Sequence, residues 1–119
     1  VLFLPKGEIH ELGLMFLRYA LKLSGERTIY LGRDVPTEDL ININAQFPNI
    51  RWLCSFVIDR TSLEKDEFIK QIENLLANTQ NSCAIVGSIW AEYDNTHINK
   101  NIDIYNNFGQ IISSLEINM

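Results

Sequence analysis

Cysteine is scarce in this chain of 119 residues: two are present, Cys54 and Cys83, in no C-x-x-C pair and each inside an apolar run. That pattern excludes a disulfide framework and argues for two buried, reduced thiols, with an intracellular compartment following from it. A domain of this length buries roughly two-thirds of the surface of its unfolded chain, so neither a disulfide nor a structural metal is needed for folding. Positive charge is also short, with 10 Lys and Arg against 15 Asp and Glu for a net charge of −5, and the bases are scattered rather than striped. Direct binding of nucleic acid by this chain is therefore not expected, because neutralising phosphates takes clustered bases. No apolar run approaches the ~20 residues that cross a bilayer, and no basic, apolar, small-residue series marks a signal peptide, so the expected place is the cytoplasm, with no membrane partner.

With 46% hydrophobic residues, the chain reads as one domain, residues 1–119. It starts at Val1 without Met and on residues that read as a buried strand, so it is expected to be the C-terminal piece of a longer protein.

Val1 to Leu4 is continuously apolar and is stopped by Pro5-Lys6-Gly7, which suits a strand buried on both faces. From about His10 to Ser24 the apolar residues Leu12, Met15, Phe16, Tyr19, Ala20 and Leu23 recur at helical spacing, with Arg18 and Lys22 as a polar stripe. Leu14, Leu17 and Leu21 widen the apolar face, predicting a well-buried helix that stops at Gly25. Thr28 to Leu31 reads as a second strand, and Pro36 as the first turn of a helix running to Phe47. Ile50 to Ile58 reads as a central third strand. Thr61 or Ser62 then caps a helix over about Leu63 to Ala77, with Thr61 and Glu64 as a capping box. Its inner face is Phe68, Ile69, Ile72, Leu75 and Leu76, and its charges are solvated. Cys83 to Val86 and Ile102 to Tyr105 supply two more strands, and a last helix covers about Asn107 to Leu115. Strands alternating with helices predict an α/β, flavodoxin-like three-layer fold with a five-stranded parallel sheet in the order 2-1-3-4-5.

In such a sheet the ligand crevice lies beyond the carboxyl ends of the strands, where the strand order reverses, between the first and third strands. Three loops are singled out: Pro5 to His10, Ser55 to Thr61 and Gly87 to Trp90. The first places a carboxylate, Glu8, beside an imidazole, His10, with Gly13 removing a side chain one turn into the helix. A carboxylate near an imidazole fixes its tautomer and makes it a better ligand or base. Taken alone, His10 reads equally as a helix-start residue bonded to its own loop.

The run Glu8-Ile9-His10-Glu11-Leu12-Gly13 resembles the D-x-H-x-x-G loop of cobalamin-binding domains. The longer stretches Leu4 to Leu14 and Tyr30 to Leu40 resemble more narrowly the C-terminal sensor domain of MerR-type transcriptional regulators, the CarH and LitR group. The likeness is strong to about residue 40 and thinner beyond. It implies cobalamin, as adenosylcobalamin or methylcobalamin, with His10 as the lower axial cobalt ligand and Glu8 in place of the acidic residue that bonds that ligand. The nucleotide tail is then expected in the sheet crevice. Ser55-Phe56-Val57 stands at the family's S-x-L, placing Ser55 and Val57 near the tail, and Gly87-Ser88 at its G-G, of which one glycine survives. Ile89 and Trp90 follow at once, and Trp90 is expected either to stack on a ligand ring or to fill the crevice.

Competing chemistries lack their residues. A receiver-like phosphorylation site needs an acidic pair where Pro5-Lys6-Gly7 stands, although Asp59 is in place after the third strand. No P-loop or G-x-G-x-x-G is present. His97 has Glu92 and Asp94 nearby but no second His or Cys. Trp52 reads as a packing residue. The functional expectation is therefore a non-enzymatic cobalamin-binding sensor within a homo-oligomeric regulator that reaches DNA through a preceding domain. The alternatives are a cobalamin-carrying subunit of a mutase or methyltransferase, and a degenerate oligomerisation domain that binds nothing. The charge balance predicts that the 119-residue chain leaves the mobility of duplex DNA unchanged. A shift in gel mobility that weakens with added salt is the contrary result.

Overall fold

Strands buried on both faces require helices on both sides of the sheet, and β1 (Leu2–Pro5), β3 (Arg51–Ser55) and β4 (Ser82–Val86) are buried along nearly all their length. In the computed structural model, which describes residues 1–114, these three join β2 (Tyr30–Val35) and β5 (Ile102–Tyr105) in a five-stranded sheet of order β2-β1-β3-β4-β5. All four pairings are parallel, with Leu2 opposite both Tyr30 and Leu53, Trp52 opposite Cys83, and Cys83 opposite Ile102. The predicted flavodoxin-like fold and strand order are the observed ones.

Alternation along the strands splits the core in two. Phe3, Trp52, Cys54, Cys83 and Ile85 face α3 (Ser62–Leu76), together with Leu40 and Ile43 of the segment that holds α2 (Ile41–Gln46). Leu2, Leu4, Leu53 and Ala84 face α1 (Leu12–Leu23) and α4 (Phe108–Ser114), meeting Leu14, Leu17, Leu21 and Ile111. Both cysteines are free and buried, and burial pushes the Cys54 thiol up.

Local signals hold closely for α3. Thr61 is its N-cap, the Thr61 hydroxyl accepts from Glu64 N–H at 3.1 Å and the Glu64 carboxylate accepts from Thr61 N–H at 3.0 Å. The five residues assigned to its inner face are its buried ones. Helix α1 ends as predicted, with Gly25 at φ +82°, its N–H on Lys22 O at 3.1 Å and Glu26 N–H on Leu21 O at 3.0 Å. The last helix ends at Ser114 among the described residues, and Leu115 lies outside them.

Four expectations need correction. Strand β2 begins at Tyr30 and runs to Val35, because β1 pairs with it as far as Pro5 opposite Val35, through two register shifts. Gly32 at φ +89° and Asp34 at φ +56° accommodate that irregular edge, which the sequence presents as a turn. Strand β3 stops at Ser55 instead of Ile58, because the N–H groups of Val57 and Ile58 turn to a side chain. Helix α1 is buried through Leu14, Leu17, Ala20 and Leu21, whereas Leu12, Met15, Phe16, Tyr19 and Leu23 lie on the surface. The segment after Pro36 also divides, into a 3-10 turn over Thr37–Leu40 and then α2.

A polar network pins the amino ends of the central strands. Asn44 Oδ1 accepts from Trp52 Nε1 at 3.1 Å and from Asn81 Nδ2 at 2.7 Å, while Asn44 Nδ2 donates to Leu75 O at 2.8 Å. Asn81 Oδ1 takes Ile50 N–H at 2.7 Å. Trp52, wholly buried, thus packs edge-on to Phe3 and also has its indole N–H satisfied. Asn44→Ala strands the indole N–H and one Asn81 donor away from water, at a cost of about 2–3 kcal/mol. Urea unfolding should show that loss as a lowered midpoint with an unchanged slope.

Candidate functional site

At the carboxyl end of the sheet, between β1 and β3, the chain builds its loops around a buried carboxylate. Glu8 is fully buried, and its Oε2 accepts Val57 N–H at 3.1 Å while Oε1 accepts Ile58 N–H at 3.2 Å. Arg60 donates from one Nη to Glu8 Oε1 at 3.3 Å and to Lys6 O at 2.9 Å, and its guanidinium lies 5.2 Å from the centre of the Phe56 ring. The backbone of the same loop is tied to β2: Gly7 N–H donates to Asp34 Oδ1 at 2.8 Å and Asp34 N–H to Glu8 O at 3.0 Å. Gly7 sits at φ +89°, which lets the loop turn back.

This clamp presents His10, the residue expected to carry the chemistry, exposed just before α1. The structure gives the Glu8 carboxylate to Val57, Ile58 and Arg60, so Glu8 acts here by holding the loop that carries His10. Among the described residues no group of three or more His, Cys, Asp or Glu gathers to hold a metal ion. One imidazole fits an axial ligand to a metal that arrives within a larger cofactor, and not a protein-built metal cage.

Gly13 lies where α1 meets α4. A Cβ there would fall 2.5 Å from Phe108 Cε2 and 2.7 Å from Cζ, so the half-buried Phe108 ring occupies the space that Gly13 leaves. Ser55 ends β3 buried, and alternation from Leu53 turns it to the α1 and α4 side of the sheet. Gly87 is needed for another close approach: a Cβ there would come within 2.6 Å of the Phe56 carbonyl oxygen. Its φ of 161° is ordinary extended backbone. Ser88, exposed, opens a 3-10 turn ending at Trp90, and Val57 is exposed with its N–H committed to Glu8.

Trp90 neither stacks at the crevice mouth nor fills the α1 side. Its buried ring packs edge-on to Phe56 at 5.3 Å and Tyr93 at 5.0 Å, close to Phe68, in the core facing α3. Its Nε1 is buried without a partner among the described residues. Two surface cavities lie away from this end of the sheet. One of about 1120 Å³ opens at the amino ends of the strands beside Val1, Thr28 and Asn49, and one of about 350 Å³ lies between α2 and α3.

The residues present fit an imidazole-ligated cofactor at the mouth. Deeper, between α1 and α4, the Phe108 ring fills the space that Gly13 leaves. Sequence reasoning brought Glu8, His10, Gly13, Ser55 and Gly87 to the same end of the sheet, as observed. It missed the parts played by Arg60, Asp34 and Phe108; Asp34 stands within the stretch Tyr30 to Leu40, and the other two belong to no motif. The signal for Arg60 was available, as a lone base in a strand-end loop opposite an acid that had to be buried.

The architecture is that of a three-layer α/β domain with its candidate site at the switch point of the sheet. No family model and no curated protein matches the chain. Among solved structures, the monomethylamine corrinoid protein of Methanosarcina barkeri is similar over 97% of this chain, with a TM-score of 0.75 and 16% sequence identity. The matched region is 54% of that protein, so the chain spans about half its length. This likeness establishes the fold.

Glu8→Ala leaves the N–H groups of Val57 and Ile58 without their acceptor and the Arg60 guanidinium with Lys6 O alone. The expected loss is about 2–4 kcal/mol, and Glu8→Gln, which keeps one acceptor oxygen, should lose less. Thermal melts of the two variants against wild type check the order.

Proposed function

We propose that this chain is a corrinoid-binding sensory domain, cytoplasmic and non-enzymatic, that takes cobalamin with His10 as the lower axial ligand. The observation that carries this reading is the clamp: an exposed imidazole held at the switch point of the sheet by a loop tied to β2 and β3. The corrinoid protein of the same fold supports it. When bound, cobalamin in its alkyl forms would supply a breakable cobalt–carbon bond.

The chain's own residues have distinct roles in this reading. Glu8, through Val57 and Ile58, fixes where His10 stands. Gly13 leaves a slot for the nucleotide tail once Phe108 swings away, and the Ser55 hydroxyl is offered to the tail from the same side of the sheet. Gly87 and Ser88 border the crevice from β4. The wording of the loop from Gly7 to Gly13 favours a MerR-type regulator, with DNA contacts in a preceding domain, over a mutase or methyltransferase carrier subunit of the same fold. A winged-helix or a barrel domain upstream in the parent protein would separate the two.

A second reading, a domain that binds no cofactor, is favoured by Phe108 lying over Gly13. Incubation with hydroxocobalamin followed by gel filtration decides between them. Wild type should retain a red, His-ligated spectrum, and His10→Ala should retain the cofactor at least 10-fold more weakly and without that spectrum. Acidification should release it, because protonated imidazole has no lone pair to donate. Phe108→Ala should bind more tightly than wild type. Cobalamin passing through wild type and Phe108→Ala alike, with neither retaining it, leaves the second reading standing.

A further inference from the structure

The outer face of α1 is the part of the surface that its neighbours leave unexplained. Of its twelve residues only Arg18 and Lys22 are charged, and a helix apolar all round belongs in an interior. Its inner side meets the sheet, yet Leu12 is 83% exposed, Met15 52%, Phe16 45%, Tyr19 59% and Leu23 57%. Ile9, just before the helix, is exposed as well. Their uncovered area is on the order of 600 Å², above the few hundred Å² usual for apolar patches on a monomer and near the ~800 Å² each partner buries in a standard interface.

We infer that this face is where two copies of the chain pair, α1 against α1, antiparallel across a twofold axis. Leu12, Phe16, Tyr19 and Leu23 follow one another at intervals of four, three and four residues, the spacing of a helix–helix seam. Reversing the helix about the point between Leu17 and Arg18 exchanges Leu12 with Leu23 and Phe16 with Tyr19. A twofold interface requires this self-complementarity, with leucines meeting at both ends and aromatic pairs flanking the axis.

The charges agree. Arg18 is drawn off the face, its guanidinium 5.1 Å from the centre of the Tyr30 ring. Lys22 sits in the last turn, and Glu11 stands just ahead of the first, held by Tyr30 Oη at 2.8 Å. Antiparallel pairing brings each Lys22 towards the other copy's Glu11, whereas parallel pairing sets like charges side by side.

Sedimentation of the 119-residue chain at micromolar concentration should show a dimer. Phe16→Glu should weaken self-association roughly 30-fold or more, as for a central aromatic anchor, and leave the circular dichroism spectrum unchanged because the residue is on the surface. An equimolar mixture of Leu12→Cys and Leu23→Cys should oxidise to a covalent dimer, while neither variant alone should do so, since Cys54 and Cys83 are buried. A wild type that stays monomeric overturns the proposal, including one that is monomeric and floats with phosphatidylcholine vesicles. So does a dimer indifferent to Phe16→Glu, or Leu12→Cys that cross-links to itself.

Discussion

The carboxyl end of this fold depends on where the negative charge of Glu8 goes. A carboxylate removed from water is tolerated only when its oxygens are hydrogen-bonded, and here two backbone N–H groups and a guanidinium supply the bonds. Those donors come from the loop after β3, so satisfying the charge sews the β1–α1 loop to its neighbour across the switch point. The Arg60 bond to Lys6 O and the Asp34 bond to Gly7 N–H close the same stitch from either side. The early end of β3 follows from this arrangement, since Val57 and Ile58 cannot give their N–H groups both to a ladder and to Glu8.

Burial of Glu8 also explains the exposure of His10. Two residues further along a loop so fixed, the chain has left the crevice floor and is about to enter α1, which leaves the imidazole facing solvent. Glu8 and His10 are neighbours in sequence, and their division of labour is positional: one anchors, the other is presented. The Glu8 carboxylate is spent on the loop after β3, and that fixes the chain two residues before the imidazole.

Periodicity made the fold legible. Apolar runs of strand length separated by helical patterns fixed the layers, and the capping residues Thr61 and Glu64 placed the start of α3 within a residue. What was illegible has one physical origin, namely that a residue's partner is chosen by tertiary position. Gly32 and Asp34 carry turn chemistry and still form an edge strand, because β1 lies beside them. Helix α1 is hydrophobic on both sides of its narrow Arg18 and Lys22 stripe, so the pattern did not say which side meets the sheet. The motif residues of the candidate site could be placed at one end of the sheet from sequence, but not the aromatic rings that fill the gaps beside their glycines.

Those rings give the two faces of the sheet different characters. On the α3 side, Phe56, Phe68, Trp90 and Tyr93 interlock edge to face, and Gly87 is required because the Phe56 backbone passes where its side chain would be. Opening that side would displace backbone and several buried rings together, a cost that no single rotamer change avoids. On the α1 and α4 side, the space over Gly13 is held by one half-buried ring on a short helix near the end of the described chain. A side chain yields more cheaply than a backbone. The asymmetry therefore assigns any deep opening at this crevice to the α1 and α4 face, to which Ser55 also turns, and it leaves the α3 side as the fixed wall against which that opening would occur.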